Sequence, residues 1–195
     1  MRKFVAAVSL VALAACGGAK EDEPEPTATE TPRSEPTPTA TETPAPEQVV
    51  QLTTTGIKAG SEAFLFEAGR NEVEAALKGL LGDPSDRGPM EECGAGPMDF
   101  TDYAGGLTVN FQDGKLVGWN WSNPRDGDPP ATGEITLAGP AELGTAKATV
   151  EAAPGYEAIT DSTLGEEFSV NDNLFGFFEA GKVSMLYSGT QCFFR

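Results

Sequence analysis

The longest apolar stretch opens the chain, running from Phe4 to Ala15 and broken only by Ser9. It follows Arg2-Lys3 and, at 12 residues, is too short to cross a bilayer as a helix, so it reads as the apolar core of an export signal. Beyond residue 48 the apolar positions become periodic. Val73, Leu77, Leu80 and Leu81 fall on one stripe and predict a helix over 72–81. Asn71 is its expected N-cap, Glu74 completes a capping box, Gly82 ends it in the left-handed conformation and Pro84 blocks continuation. Leu143, Ala146 and Val150 form a weaker stripe that predicts a second helix over 140–151, with Pro140 in its first turn and Pro154-Gly155 beyond its end.

Two-residue alternation marks the strands. Residues 107–121 predict a hairpin about Asp113-Gly114, for which two registers compete. A two-residue loop pairs Phe111 with Leu116 and sets Trp119 and Trp121 opposite the Leu107-Val109-Phe111 face. A three-residue loop pairs Phe111 with Lys115 and gathers Leu107, Val109, Phe111, Val117, Trp119 and Trp121 on one face, which burial favours. Further strands are expected near 157–160 and 165–170, a second hairpin joins 174–178 to 183–187, and the tail 190–194 is expected to close the sheet.

The halves of this region echo each other. Gly56-Ile57, Gly60, a helix and Phe111-x-x-Gly114-Lys115-Leu116 correspond to Gly133-Glu134-Ile135, Gly139, a helix and Phe178-x-x-Gly181-Lys182-Val183. The expected fold is therefore α+β: an antiparallel sheet with helices packed on one face, in one domain over 49–195 built from two tandem helix-plus-hairpin repeats at about 49–125 and 130–195. Gly56-Ile57, Gly60-Ser61, Leu81-Gly82-Asp83-Pro84 and the following hairpin are similar to a superfamily that includes the small lipoprotein of the outer-membrane β-barrel assembly machine and the tandem-repeat β-lactamase inhibitory protein. The resemblance implies a non-enzymatic domain outside the cytoplasm that binds proteins across its sheet. Ala63-Phe64-Leu65-Phe66 departs from the pattern, and the second half lacks Leu-Gly-x-Pro, so no binding residue is carried over.

Between the signal and the domain the alphabet changes. Residues 20–48 are dominated by Pro, Thr and Glu and hold no aromatic residue, Ile or Leu. Such a segment buries too little apolar surface to offset its ordering entropy, and its prolines and like charges favour an extended spacer. Its alphabet resembles the linkers of actinobacterial lipoproteins. Leu13-Ala14-Ala15-Cys16-Gly17 resembles the lipobox of bacterial lipoproteins, which implies lipid on the Cys16 thiol, removal of residues 1–15 and anchoring in the cell membrane on its extracytoplasmic side. Several acyl chains on one residue anchor stably where one is marginal.

Chemistry is limited by what is missing. The chain has no histidine, which excludes Ser-His-Asp and Cys-His catalysis and His-ligated zinc. The domain carries 22 acidic and 9 basic residues, a formal charge of −13, which argues against nucleic acid as a partner. With Cys16 assigned to lipid, Cys93 and Cys192 are left in an oxidising setting and are expected to pair, closing a loop of about 100 residues for ~4.7 kcal/mol by chain entropy. Glu166-Glu167 and Asp161 are read as a solvated charge run rather than hydrolase carboxylates, and Asp126 and Asp128 as an ordinary turn rather than a calcium loop. Trp119, Trp121, Phe175, Phe177 and Tyr187 are expected in the core, or, where they face solvent on the open side of the sheet, in a binding platform. No catalytic set, metal or cofactor is expected. The sequence points to a tethered, non-catalytic module for a protein or envelope component; a carboxylate-dependent cell-wall glycan hydrolase and a purely structural envelope lipoprotein are the alternatives.

Overall fold

The computed structural model describes residues 48–124 and 127–193. The chain divides into two units, Met1–Glu42 and Thr43–Arg195, and every described residue belongs to the second. The expected export signal, Cys16 and the expected linker through Glu47 lie outside the described residues, as do Asp126 and the end of the tail at Phe194.

Among the described residues, twelve strands and two helices follow in order: β1 (Val49–Thr53), β2 (Gly56–Ala59), β3 (Glu62–Leu65), α1 (Arg70–Leu81), β4 (Asp86–Met90), β5 (Met98–Tyr103), β6 (Leu107–Gln112), β7 (Lys115–Ser122), β8 (Glu134–Leu137), α2 (Lys147–Glu151), β9 (Tyr156–Ile159), β10 (Glu166–Val170), β11 (Leu174–Glu179) and β12 (Lys182–Gly189). They form an eight-stranded sheet, β4-β5-β6-β7-β12-β11-β10-β9, and a four-stranded sheet, β3-β2-β1-β8. All neighbours are antiparallel except β1 and β8. The large sheet is two four-stranded meanders joined through their last strands, β7 and β12.

The expected α+β balance is corrected. Among the described residues strands make up 47% and helices 12%, so the fold is largely β. The inner face of the large sheet is covered by the small sheet together with α1 and the one-turn α2. Val50, Leu52 and Ile57 of the small sheet and Val73, Leu77 and Leu81 of α1 share one core with Leu107, Val109, Phe111, Leu116 and Trp119 of the large sheet.

Local chemistry explains where the helices differ from expectation. Helix α1 starts at Arg70 with Gly69 as N-cap and no capping side chain, so Asn71 lies inside the first turn. Glu74 is taken by Arg70 and Thr101 instead of closing a capping box. The predicted helix over 140–151 shrinks to Lys147–Glu151. Gly144 has φ 80°, and the hairpin strand β12 claims the backbone before the helix: Gly144 N donates to Val183 O at 2.8 Å and Val183 N to Thr145 O at 2.9 Å.

The β6–β7 hairpin takes neither predicted register whole. Asp113 and Gly114 have φ 51° and 72°, the two-residue turn that pairs Phe111 with Leu116. One residue later the register shifts: Asn110 pairs with Gly118 and Phe111 with Leu116, leaving Val117 as an extra residue in β7. The bulge returns Trp119 and Trp121 to the Leu107-Val109-Phe111 face, with Leu116 there in place of the expected Val117. The β11–β12 hairpin repeats the device, with Ala180 and Gly181 at φ 49° and 75° and Ser184 as the extra residue.

Candidate binding surface

The outer face of the large sheet carries the side chains that alternate away from this core. On its second half Phe175 and Phe177 of β11 stand half-buried beside Tyr187 of β12. Phe175 stacks on Tyr187 with centroids 5.2 Å apart, and Phe177 lies 5.9 Å from the same ring. The Tyr187 hydroxyl donates to the buried carboxylate of Glu167 on β10. Burying a carboxylate is costly without a donor, and the phenol is one such donor.

The five aromatic residues singled out in the sequence therefore separate. Trp119 and Trp121 are 0% and 9% exposed and lie in the inner core. Their indole N–H groups donate to Thr53 O at 2.8 Å and Gly105 O at 3.0 Å, which satisfies the polar end of each ring inside the fold. Phe175, Phe177 and Tyr187 form the outer cluster.

A fourth ring, Phe193, comes from the tail. It meets Phe177 and Tyr187 edge-on, at 5.8 and 5.0 Å. The tail does not close the sheet as a strand, the arrangement expected from its sequence; its described residues lie across the outer face. The reason is local. Thr190 N donates to Val117 O at 2.8 Å, the carbonyl of the bulge residue. Gln191 then plugs into the sheet: its Nε2 donates to Trp119 O at 3.0 Å and Ser188 O at 2.9 Å, while its Oε1 accepts from Asn110 at 3.0 Å and Asn120 at 3.3 Å. Asn110, an amide in the middle of the sheet, is 2% exposed because the tail covers it. Gly118 makes the crossing possible, since a Cβ there would lie 2.3 Å from Thr190 O.

Three shallow depressions flank the tail. One of about 330 Å³ lies toward Phe100, Asp102 and Asn110; one of about 410 Å³ toward Leu164, Phe177 and Met185; one of about 350 Å³ toward Ile159, Glu167 and Phe175. Phe193 is a wall of all three.

Cys93, buried in the loop between β4 and β5, and Cys192 of the tail are free thiols that lie close enough to interact. Burial pushes the Cys192 thiol up to about 11, and the neighbouring Cys93 adds to the rise.

The carboxylates do not converge. Glu166 and Glu167 point to opposite faces, as neighbours in a strand must. Glu166 is exposed and bonded to Lys147, whereas Glu167 is 3% exposed, so the expected solvated run holds for one of the pair only. Asp161 is exposed in a turn, and Asp128 lines a small depression beside Ser85 and Tyr103. Gln191, Asn110 and Phe193 escaped the sequence reading as surface residues, since Gln191 and Phe193 were read as part of a closing strand over 190–194.

Comparison with family models, curated proteins and solved structures finds no match.

Proposed function

We propose that the chain is an exported lipoprotein, anchored through lipid on Cys16, whose folded part recognises a protein or another component of the cell envelope with the outer face of its eight-stranded sheet. One observation carries the reading: Phe175, Phe177, Tyr187 and Phe193 gather on the sheet face that neither helix nor the small sheet covers. Rigid aromatic rings with few rotatable bonds dominate recognition surfaces, and a cluster with polar groups at its rim has the chemistry of one. The lipobox-like Leu13-Ala14-Ala15-Cys16 and the Pro/Thr/Glu spacer support the location. Two meanders joined edge to edge agree with a tandem duplication of one unit and with the resemblance to sheet-binding lipoproteins and inhibitors.

The test is in-cell crosslinking of the full-length chain, comparing the native protein with Phe175→Ala/Phe177→Ala. The native protein is expected to capture a defined envelope component that the double variant, equally folded by circular dichroism, captures at least tenfold less. Identical capture by both removes the outer face from consideration, and capture of nothing by either leaves a structural lipoprotein. Cys16→Ser is expected to release the protein from membranes; a variant still sedimenting with them contradicts the lipid anchor.

A further inference from the structure

The tail is held to the outer face by three separate kinds of contact. The Gln191 amide makes four hydrogen bonds to the sheet around Asn110, Asn120 and Trp119; the Phe193 ring sits edge-on to Tyr187 and Phe177; and Gly118 leaves bare backbone where Thr190 passes. Between those anchors Cys192 meets Cys93. The loop that carries Cys93 is itself held to the sheet, with Gln112 Nε2 donating to Ala95 O at 3.0 Å and Pro97 O at 3.3 Å. Both sulfurs are thus presented by fixed backbone on the same face.

We infer that Cys93 and Cys192 join in a disulfide that straps the segment Thr190–Phe193 over the outer face, and that opening this bond lets the segment lift and unites the depressions it separates into one groove. In closing, the two S–H bonds are lost and one S–S bond forms. The S–S bond of an oxidised low-molecular-weight disulfide breaks in exchange, takes up the two electrons and the two protons, and leaves as two thiols. Opening is the reverse exchange: a thiolate attacks one sulfur, a mixed disulfide forms, and a second thiol resolves it. A short tail held by a handful of such contacts can dissociate when it is bound only non-covalently. A covalent link in mid-segment adds a second, shorter tether to the one the chain already provides at β12, which raises the effective concentration for each reattachment. Phe193 is the shared wall of the three depressions, so its departure changes the shape of the whole face. The strap stands on this geometry alone; its consequence for binding rests on the outer face being the recognition surface.

The test uses the full-length chain in detergent, with oxidised glutathione, with dithiothreitol, and as Cys192→Ser in both. Peptide mapping under non-reducing conditions is expected to link the Cys93 and Cys192 peptides in the oxidised sample only. Backbone hydrogen exchange of the C-terminal peptide is expected to be at least tenfold slower in that sample than in the reduced chain or the variant. Exchange in the peptide containing Val109, at the centre of the sheet, should match in all. Absence of the linked peptide in oxidised glutathione overturns the bond, and equal C-terminal exchange in the oxidised and reduced chains overturns the strap. Slower exchange in the oxidised chain with equal envelope capture in both states leaves the strap standing and overturns the outer face as the recognition surface.

Discussion

Arg70 and Lys147 occupy the same place in the two halves of the fold. Each begins a helix, and each donates its backbone N–H to the glycine of the following hairpin turn, Arg70 to Gly114 O and Lys147 to Gly181 O, both at 2.9 Å. Each lies over the phenylalanine at the hairpin bulge, Arg70 5.2 Å from the Phe111 ring and Lys147 5.7 Å from Phe178. Each pairs with the glutamate four residues on, Glu74 or Glu151, and with a carboxylate from the sheet, Asp99 or Glu166. One cation thus ties helix, hairpin and neighbouring strand together in both halves.

Arg70 is the more enclosed of the two arrangements, with Thr101 fully buried beside it and donating to Glu74 at 2.7 Å. Arg70→Met should cost about 1–2 kcal/mol at neutral pH, from ion pairs, a cation–π contact and an orphaned carboxylate together. The effect has a direction in pH. Burial pushes Glu74 up, but its hydrogen bonds to Arg70 and Thr101 outweigh this and hold the carboxyl below its ordinary range. A depressed carboxyl stabilises the fold above the unfolded value of about 4.3, and this is lost as pH falls through the folded value. Urea midpoints of native protein and variant should therefore differ clearly at pH 7 and converge toward pH 3. Lys147→Met, at the less enclosed of the two sites, should shift the midpoint less than Arg70→Met does.

Ala180 stands where the first hairpin has Asp113, in a turn that needs positive φ at both central residues. At φ 49° its Cβ is strained, and Asn or Gly tolerates that region better. Ala180→Asn should raise stability by about 0.5–1 kcal/mol without altering the outer face. A midpoint unchanged or lowered in urea denaturation contradicts this account of the turn.

What was legible in the sequence was whatever depends on neighbours along the chain. The stripe Val73-Leu77-Leu81, the turn residues Asp113-Gly114 and the alternation in Leu107-Val109-Phe111 each carry their own local instruction. The bulge at Val117 was not legible as such, because its signal is a conflict: the turn chemistry asks for one register and the tryptophans for the other. An extra residue satisfies both. The strands β1 to β3 were missed because they are only four or five residues long; they pair locally as two short hairpins, but the partner that completes the sheet beside β1 is β8, more than 80 residues away. In the binding surface the sequence supplied Phe175, Phe177 and Tyr187 but could not separate them from Trp119 and Trp121. That division depends on which face of the sheet receives the small sheet, a tertiary fact. Gln191 was invisible for the same reason, since an isolated glutamine gives no sign that two asparagines and two carbonyls await it.

The placement of the tryptophans has an optical consequence. Both indoles lie on the inner side of the sheet and are shielded from solvent, so emission should be blue-shifted and weakly quenched by acrylamide. A ligand on the outer face should leave that emission nearly unchanged. Trp119→Phe removes a buried indole and strands the Thr53 carbonyl, which should cost about 2–3 kcal/mol, while Phe175→Ala on the outer face should cost less. Equal losses in denaturant titrations would mean that the two rings are equally buried.

The last consequence concerns the thiols in their reduced state. Cys192, pushed up to about 11 by burial and by Cys93, carries roughly one thiolate in a thousand at pH 8, whereas an ordinary thiol near 8.5 carries about a quarter. Because the thiolate is the nucleophile, alkylation of Cys192 by iodoacetamide should be slow at pH 7.5 and rise about tenfold per pH unit through 9.5, with no plateau near 8.5. The same shift sets a pH limit on the reduced fold. A thiol whose folded value lies above its unfolded one contributes its full stability below about 8.5, and that contribution fades as pH climbs toward 11. Oxidation removes the Cys192 titration, so the oxidised chain should lose less stability over pH 8–10 than the reduced chain. Mass spectrometry of pulse-alkylated samples reads the first effect and urea midpoints the second. A Cys192 that alkylates as fast as glutathione at pH 8 would show that the tail does not shield it.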